Sequence, residues 1–96
     1  MDDVRLISVL SDSHGHISDK ILNLVRGSDM IIHAGDIMSV ELIRELKNIS
    51  KYSYLVCGNN DRVEFYKDKE ERDIIGSLDR VEKIHLPSGT ITVTHG

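Results

Sequence analysis

Three short apolar runs, Val4 to Leu10, Met30 to Ala34 and Tyr52 to Cys57, each break off into a loop of glycine and polar residues. Helix-period sequence separates the runs. Strands joined by helices cannot pair as hairpins, so this alternation implies βαβ units and a parallel sheet. With 96 residues, the chain has material for one small domain, residues 1–96.

In the first run Val4, Leu6, Ile7, Val9 and Leu10 are apolar almost without interruption, which predicts a strand covered on both faces. Ile17, Ile21, Leu24 and Val25 then fall on one helical face, with Gly27 placed to stop the helix. Ser39 is a candidate N-cap, since its hydroxyl can accept from a free first-turn N–H. Val40, Ile43, Leu46 and Ile49 follow as the buried stripe, and Glu41, Arg44, Glu45 and Lys47 face water. Tyr66 to Asp73 is so charged that it reads as a solvated loop or helix face. Arg80 to Leu86 and Thr90 to His95 flank Pro87-Ser88-Gly89 as a hairpin, and Ile91 and Val93 alternate with Thr92 and Thr94.

Charge and cysteine content narrow the function classes. A net charge of −4 carries no electrostatic signature of a nucleic-acid binder. No apolar run approaches the ~20 residues of a membrane span, and the acidic start Met1-Asp2-Asp3 does not read as a signal peptide. The single cysteine, Cys57, excludes an internal disulfide and fits a cytoplasmic protein. Nothing around it supplies the positive charge that activates a thiol, so it reads as inert.

The polar residues at the strand ends carry the chemistry. Ligands of open α/β sheets collect outside the carboxyl ends of the strands. There the first run delivers Asp12 and His14, the second Asp36, the third Asn59 with Asp61, and the last His95. Oxygen and imidazole donors together suit divalent cations. In an extended segment Asp12 and His14 would point the same way, with Ser13 pointing away. Each group alone has an ordinary reading: a turn before a helix, a Gly-Asp turn, an Asn-Asn turn, a core histidine. Four successive strand ends presenting ligand-type residues is what sets them apart.

Asp12-Ser13-His14, Gly35-Asp36, Gly58-Asn59-Asn60-Asp61 and His95-Gly96 resemble the first four sequence blocks of the calcineurin-like metallophosphoesterases. The surrounding sequence is most similar to their small bacterial and archaeal phosphodiesterase branch, the YfcE type. That resemblance implies two divalent metal ions. Asp12 and His14 would bind the first ion, Asp36 would bridge both, and Asn59 and His95 would bind the second. It implies a metal-bound water as nucleophile, so no protein side chain is assigned as the catalytic group. Mn²⁺ is the implied metal, with Mg²⁺, Ni²⁺, Fe and Zn²⁺ as alternatives. The implied substrate is a small phosphodiester or phosphomonoester.

Two departures from the family pattern bear on activity. Many members place an acid histidine directly after the motif asparagine; here that position is Asn60, which has no proton to give a leaving group. The YfcE-type branch shares this change. The family's Gly-His-x-His block is also absent up to Gly96. The remaining histidines do not replace it: His33 reads as a buried imidazole, His85 as surface, and His16 as either a substrate-phosphate contact or an exposed side chain. Asn60 and His16 are thus the candidate substrate-binding residues.

The resemblance also implies an architecture: a four-layer α-β-β-α sandwich, of which these residues form the N-terminal part. An incomplete sandwich would expose apolar surface and an open edge, so marginal stability or homo-oligomer formation is expected. The competing readings are a non-catalytic protein-binding scaffold, as in a retromer subunit of the same fold, and an inactive truncated product.

Overall fold

The computed structural model describes residues 4–96, so the reading of Met1-Asp2-Asp3 lies outside the described residues. The elements are β1 (Ile7–Leu10), α1 (Asp19–Val25), β2 (Met30–His33), α2 (Val40–Ile49), β3 (Tyr52–Leu55), a 3-10 turn (Val63–Phe65), α3 (Lys69–Gly76), β4 (Val81–Leu86) and β5 (Gly89–Thr94). The first three strands form a parallel sheet in the order β1-β2-β3, and β4 pairs β5 in an antiparallel hairpin. The fold is α/β, built from βαβ units as the alternation of runs predicted.

Register decides which side chains share a face. Leu10, His33 and Leu55 are aligned across the sheet, one step beyond Val9, Ile32 and Tyr54. Leu10, Ile31 and Leu55 pack with Leu22 and Val25 of α1, Ile43 and Leu46 of α2, and Ile75 of α3. On the opposite face Ile7, Met30, Ile32 and Tyr54 pack against Ile84 and Val93 of the hairpin. The layers are therefore helices, parallel sheet, hairpin. β2, in the middle, is buried at every residue. A parallel bridge between Val56 and Asp79, with Cys57 N–H donating to the Asp79 carbonyl at 2.7 Å, ties the end of β3 to the approach to β4.

Two local expectations need correction, and a third is decided between its alternatives. The first strand begins at Ile7 rather than Val4 and is not covered on both faces: Val9 is 67% exposed. β1 is an edge strand, and the layer that buries Met30 and Ile32 reaches Ile7 but leaves Val9 uncovered. α1 begins only at Asp19, after Ser18 accepts from Ile21 N–H at 3.3 Å. Ile17 is buried ahead of the helix and does not share its period, so Leu22 and Val25 face the core while Ile21 and Leu24 face solvent. The charged stretch takes the helix alternative from Lys69 onward: Asp68 caps α3 by accepting from Glu71 N–H at 3.3 Å, and α3 then buries Ile75.

α2 and the hairpin follow expectation. Ser39 accepts from Leu42 N–H at 3.2 Å, and Val40, Leu42, Ile43 and Leu46 are buried. In β5 Val93 is buried between exposed Thr92 and Thr94. Among the described residues no helix is long and apolar enough to cross a membrane.

Candidate metal centre

The loops leaving β1 and β2 run side by side beyond the sheet. Asp12 N–H donates to Gly35 O at 2.9 Å, His14 N–H to Asp36 O at 3.0 Å, and Gly15 N–H to Ile37 O at 2.7 Å. Directing these N–H groups across requires a left-handed backbone at Asp12 (φ 54°), His14 (φ 49°), Asp36 (φ 58°) and Met38 (φ 61°). The segment around Asp12 and His14 is therefore not extended, contrary to the sequence reading; the two side chains are brought together by the turn. Such conformations cost about 1–3 kcal/mol each and cluster at functional sites. Here the cross-loop hydrogen bonds hold them.

The third loop closes on the second through two glycines. A Cβ on Gly58 would coincide with the Asp36 backbone nitrogen and carboxylate. A Cβ on Gly35 would lie 2.7 Å from His95 Nδ1 and 2.9 Å from the backbone of Gly58. Both positions are empty of side chain because backbone, carboxylate and imidazole occupy that space. Asp61 then fastens the loops, accepting from Gly58 N–H at 2.9 Å, Met38 N–H at 2.8 Å and Ile37 N–H at 3.2 Å. This buried carboxylate is a fastener that the sequence reading placed only at the sheet edge; its spacing from Gly58, at the other end of one tight turn, was the available signal.

Four ligand-type side chains converge above these loops. His14 Nε2 and His95 Nε2 each lie 3.7 Å from Asp36 Oδ2, and they lie 3.9 and 4.0 Å from Asp12 Oδ1. His95 Nδ1 is 2.8 Å from the Ala34 carbonyl, which can only accept, so Nδ1 carries the proton and Nε2 offers a lone pair. Asp36 is 5% exposed, and both its oxygens are held by Asn60: the backbone N–H donates to Oδ1 at 2.8 Å and Nδ2 donates to Oδ2 at 3.0 Å. Burial works against the charge on Asp36. The two Asn60 hydrogen bonds and the facing His95 and His14 outweigh it and hold the carboxyl below its ordinary range.

The arrangement fits a divalent cation. Two ligand atoms at about 2.1 Å from one ion are separated by at most about 4.2 Å, and the nitrogen–oxygen separations of 3.7–4.0 Å fall inside that span. Asp12, His14 and Asp36 bring ligand atoms within 4.8 Å of one another. Both imidazoles face Asp36 Oδ2 at 3.7 Å and Asp12 Oδ1 at 3.9–4.0 Å, so two carboxylates and two ring nitrogens share one small space. Asp12 and His14 are half exposed, so the cluster is open to solvent on one side.

The other candidate residues lie around this cluster. Asn59 is exposed and lines, with His95 and Cys57, an open pocket beside the site. Asn60 is turned to Asp36. His16 is exposed and lines a separate cleft with Leu10, Ser13 and Ile17. His85 is exposed and contacts Thr90 at 3.1 Å. His33 is fully buried; Gly35 N–H donates to its Nδ1 at 3.1 Å, leaving Nε2–H for Ser13 Oγ at 2.9 Å. Burial keeps that ring neutral by lowering its pKa, against the pull of Asp61, Asp12 and Asp36. Burial also pushes the Cys57 thiol up, reinforced by Asp61 and Asp36; Arg80, a nearby positive charge where the sequence reading expected none, pulls the other way without reversing the shift.

Residues 6–96 match the calcineurin-like phosphoesterase superfamily domain. Phosphodiesterase MJ0936 of Methanocaldococcus jannaschii is 30% identical over 99 residues, covering 94% of this chain and 58% of its own length. Among solved structures, Vacuolar Protein Sorting 29 of Cryptosporidium parvum superposes with a TM-score of 0.76 at 24% identity, over 99% of this chain and 51% of that one. A predicted phosphoesterase of Streptococcus pneumoniae superposes with a TM-score of 0.56 at 24% identity, over 96% of this chain and 45% of that one. The chain thus spans about half the length of these relatives. Motif order, cluster geometry and the match over nearly every residue agree: the chain belongs to the calcineurin-like phosphoesterase superfamily.

Proposed function

We propose that this protein is a metal-dependent phosphoesterase acting on phosphodiesters. The observation that carries the reading is the placement of His14 Nε2 and His95 Nε2 at equal 3.7 Å distances from Asp36 Oδ2. Asp12 and His14 would hold one divalent ion, Asn59 and His95 a second, and Asp36 would lie between them; Mn²⁺ is the metal proposed, by family likeness. Divalent ions so held supply an acidified water near neutral pH and neutralise phosphate oxygens.

The protein's own groups supply orientation. Asn60 keeps Asp36 ionised and fixes both its oxygens, and Ala34 O fixes the ring of His95. Asn60 offers no proton to a departing alkoxide, so the reading favours esters with good leaving groups. The raised pKa of the Cys57 thiol supports a route without a covalent thiol intermediate.

The test is hydrolysis of bis(4-nitrophenyl) phosphate with Mn²⁺, after chelation, and in Asp36→Ala. The expected outcome is metal-dependent turnover that Asp36→Ala reduces by at least about a hundredfold. Equal rates in the two proteins would overturn the reading. Likeness to Vacuolar Protein Sorting 29 favours one alternative, a protein-binding scaffold on the same fold. Metal binding without turnover of any phosphate ester would favour it.

A further inference from the structure

We propose that the open pocket beside the metal centre binds a second phosphate group carried by the substrate, through Arg62 and Arg80. The proposal rests on the phosphoesterase reading and names its substrate class: a phosphate ester one of whose arms bears another phosphate. The pocket measures about 530 Å³, within the range of small-molecule sites. Asn59 and His95 form the wall shared with the metal centre, and Arg62, Arg80 and Val81 lie along the same lining.

Charge on this lining opposes that of the whole chain. The protein carries a net −4, yet the exposed charged side chains on this lining are two guanidinium groups, those of Arg80 and of Arg62, the latter paired with Glu64. The pocket's one acid, Asp61, is 4% exposed, and its oxygens are occupied by the N–H groups of Ile37, Met38 and Gly58. Arg80 has no carboxylate partner among the described residues. Arg62 is positioned by Glu64 and lies over the Phe65 ring, 5.4 Å from its centroid, with more than half of its side chain exposed.

Guanidinium forks bind phosphate through paired N–H groups, which a single ammonium cannot do. Val81, 50% exposed at the pocket wall, gives a sugar or ring an apolar surface between the two phosphate positions. One phosphate would thus sit at the metal cluster and the other against the arginines.

Two matched pairs of probes test this. The first compares binding of thymidine 3′,5′-bisphosphate and thymidine 5′-monophosphate by calorimetry. The second compares kcat/KM for thymidine 5′-(4-nitrophenyl phosphate) with and without a 3′-phosphate. The second phosphate is expected to raise both affinity and kcat/KM about tenfold. That ratio should fall below about threefold in Arg80→Ala, recover partly in Arg80→Lys, and persist in Lys83→Ala, a control for diffuse charge.

Equal binding of the two nucleotides, or the same loss in Lys83→Ala as in Arg80→Ala, would overturn the proposal. If neither ester turns over while the binding ratio and its loss in Arg80→Ala remain, the pocket stands and the hydrolytic reading falls. If both esters turn over equally and both nucleotides bind equally, the hydrolytic reading stands and the pocket falls.

Discussion

Asn60 grips both oxygens of Asp36, one through its backbone N–H at 2.8 Å and the other through its side-chain amide at 3.0 Å. The position occupied by an acid histidine in many relatives here orients the central carboxylate of the cluster. Asn60→Ala removes the side-chain bond and keeps the backbone one. Mn²⁺ affinity measured by calorimetry is expected to fall roughly 10–100-fold, as for other residues that position a metal ligand. Unchanged affinity would show that the backbone bond alone suffices.

Gly58 and Gly76 predict opposite outcomes for the same substitution. Gly58→Ala drives a methyl group into the Asp36 backbone, so the loops must separate. Unfolding in urea is expected to show a loss of about 1–3 kcal/mol, accompanied by loss of metal binding. Gly76→Ala, near the end of α3, meets only Val63 Cγ1 at 3.5 Å and should stabilise by about 0.5–1 kcal/mol. Metal binding should be unaffected there.

Buried, neutral His33 predicts acid sensitivity of the metal-free protein. Its pKa in the folded state lies below the ordinary 6.5, so the unfolded chain takes up a proton that the folded one refuses. The resulting stability is complete above about pH 6.5 and is lost progressively as pH falls below it. Tm measured in chelator should therefore decline from pH 7 to pH 5, and His33→Gln should flatten that slope. Asp36, also depressed, contributes in the same direction but only as pH falls below its ordinary 3.8.

The hairpin carries His95, so its packing should be felt at the cluster. Ile84 is fully buried between the hairpin and the sheet. Ile84→Ala is expected to cost about 2–5 kcal/mol in urea unfolding. It should weaken Mn²⁺ binding as well, because His95 directly follows β5. Intact metal affinity in a destabilised variant would mean that His95 is held by Ala34 alone.

Much of the fold was readable because burial leaves a period in the sequence. β2, β3, α2 and the hairpin each show theirs, and Ser39 marks a helix start that the structure retains. α3 was obscured because one turn of it is nearly all charge. Asp68 followed by Glu71 was the capping signal available there. The exposed sides of β1 and α1 were misread for another reason. Apolar residues such as Val9 and Leu24 record a preference for cover, while only the layer order decides whether cover reaches them.

For the candidate site, the sequence by itself determined which chemistry gathers: Asp12, His14, Asp36 and His95 are ligand-type residues at successive strand ends, and parallel strands place such ends on one edge. Only the tertiary structure decided how they meet. Left-handed turns at Asp12, His14 and Asp36, and two glycines whose missing side chains let loops touch, bring the imidazole nitrogens to within 4.0 Å of the carboxylate oxygens. It also turned Asn60 rather than Asn59 toward Asp36 and placed two arginines beside His95. The physical reason is range. Strand and helix periods are local and survive in the sequence, whereas loop-to-loop approach depends on contacts between residues more than twenty positions apart.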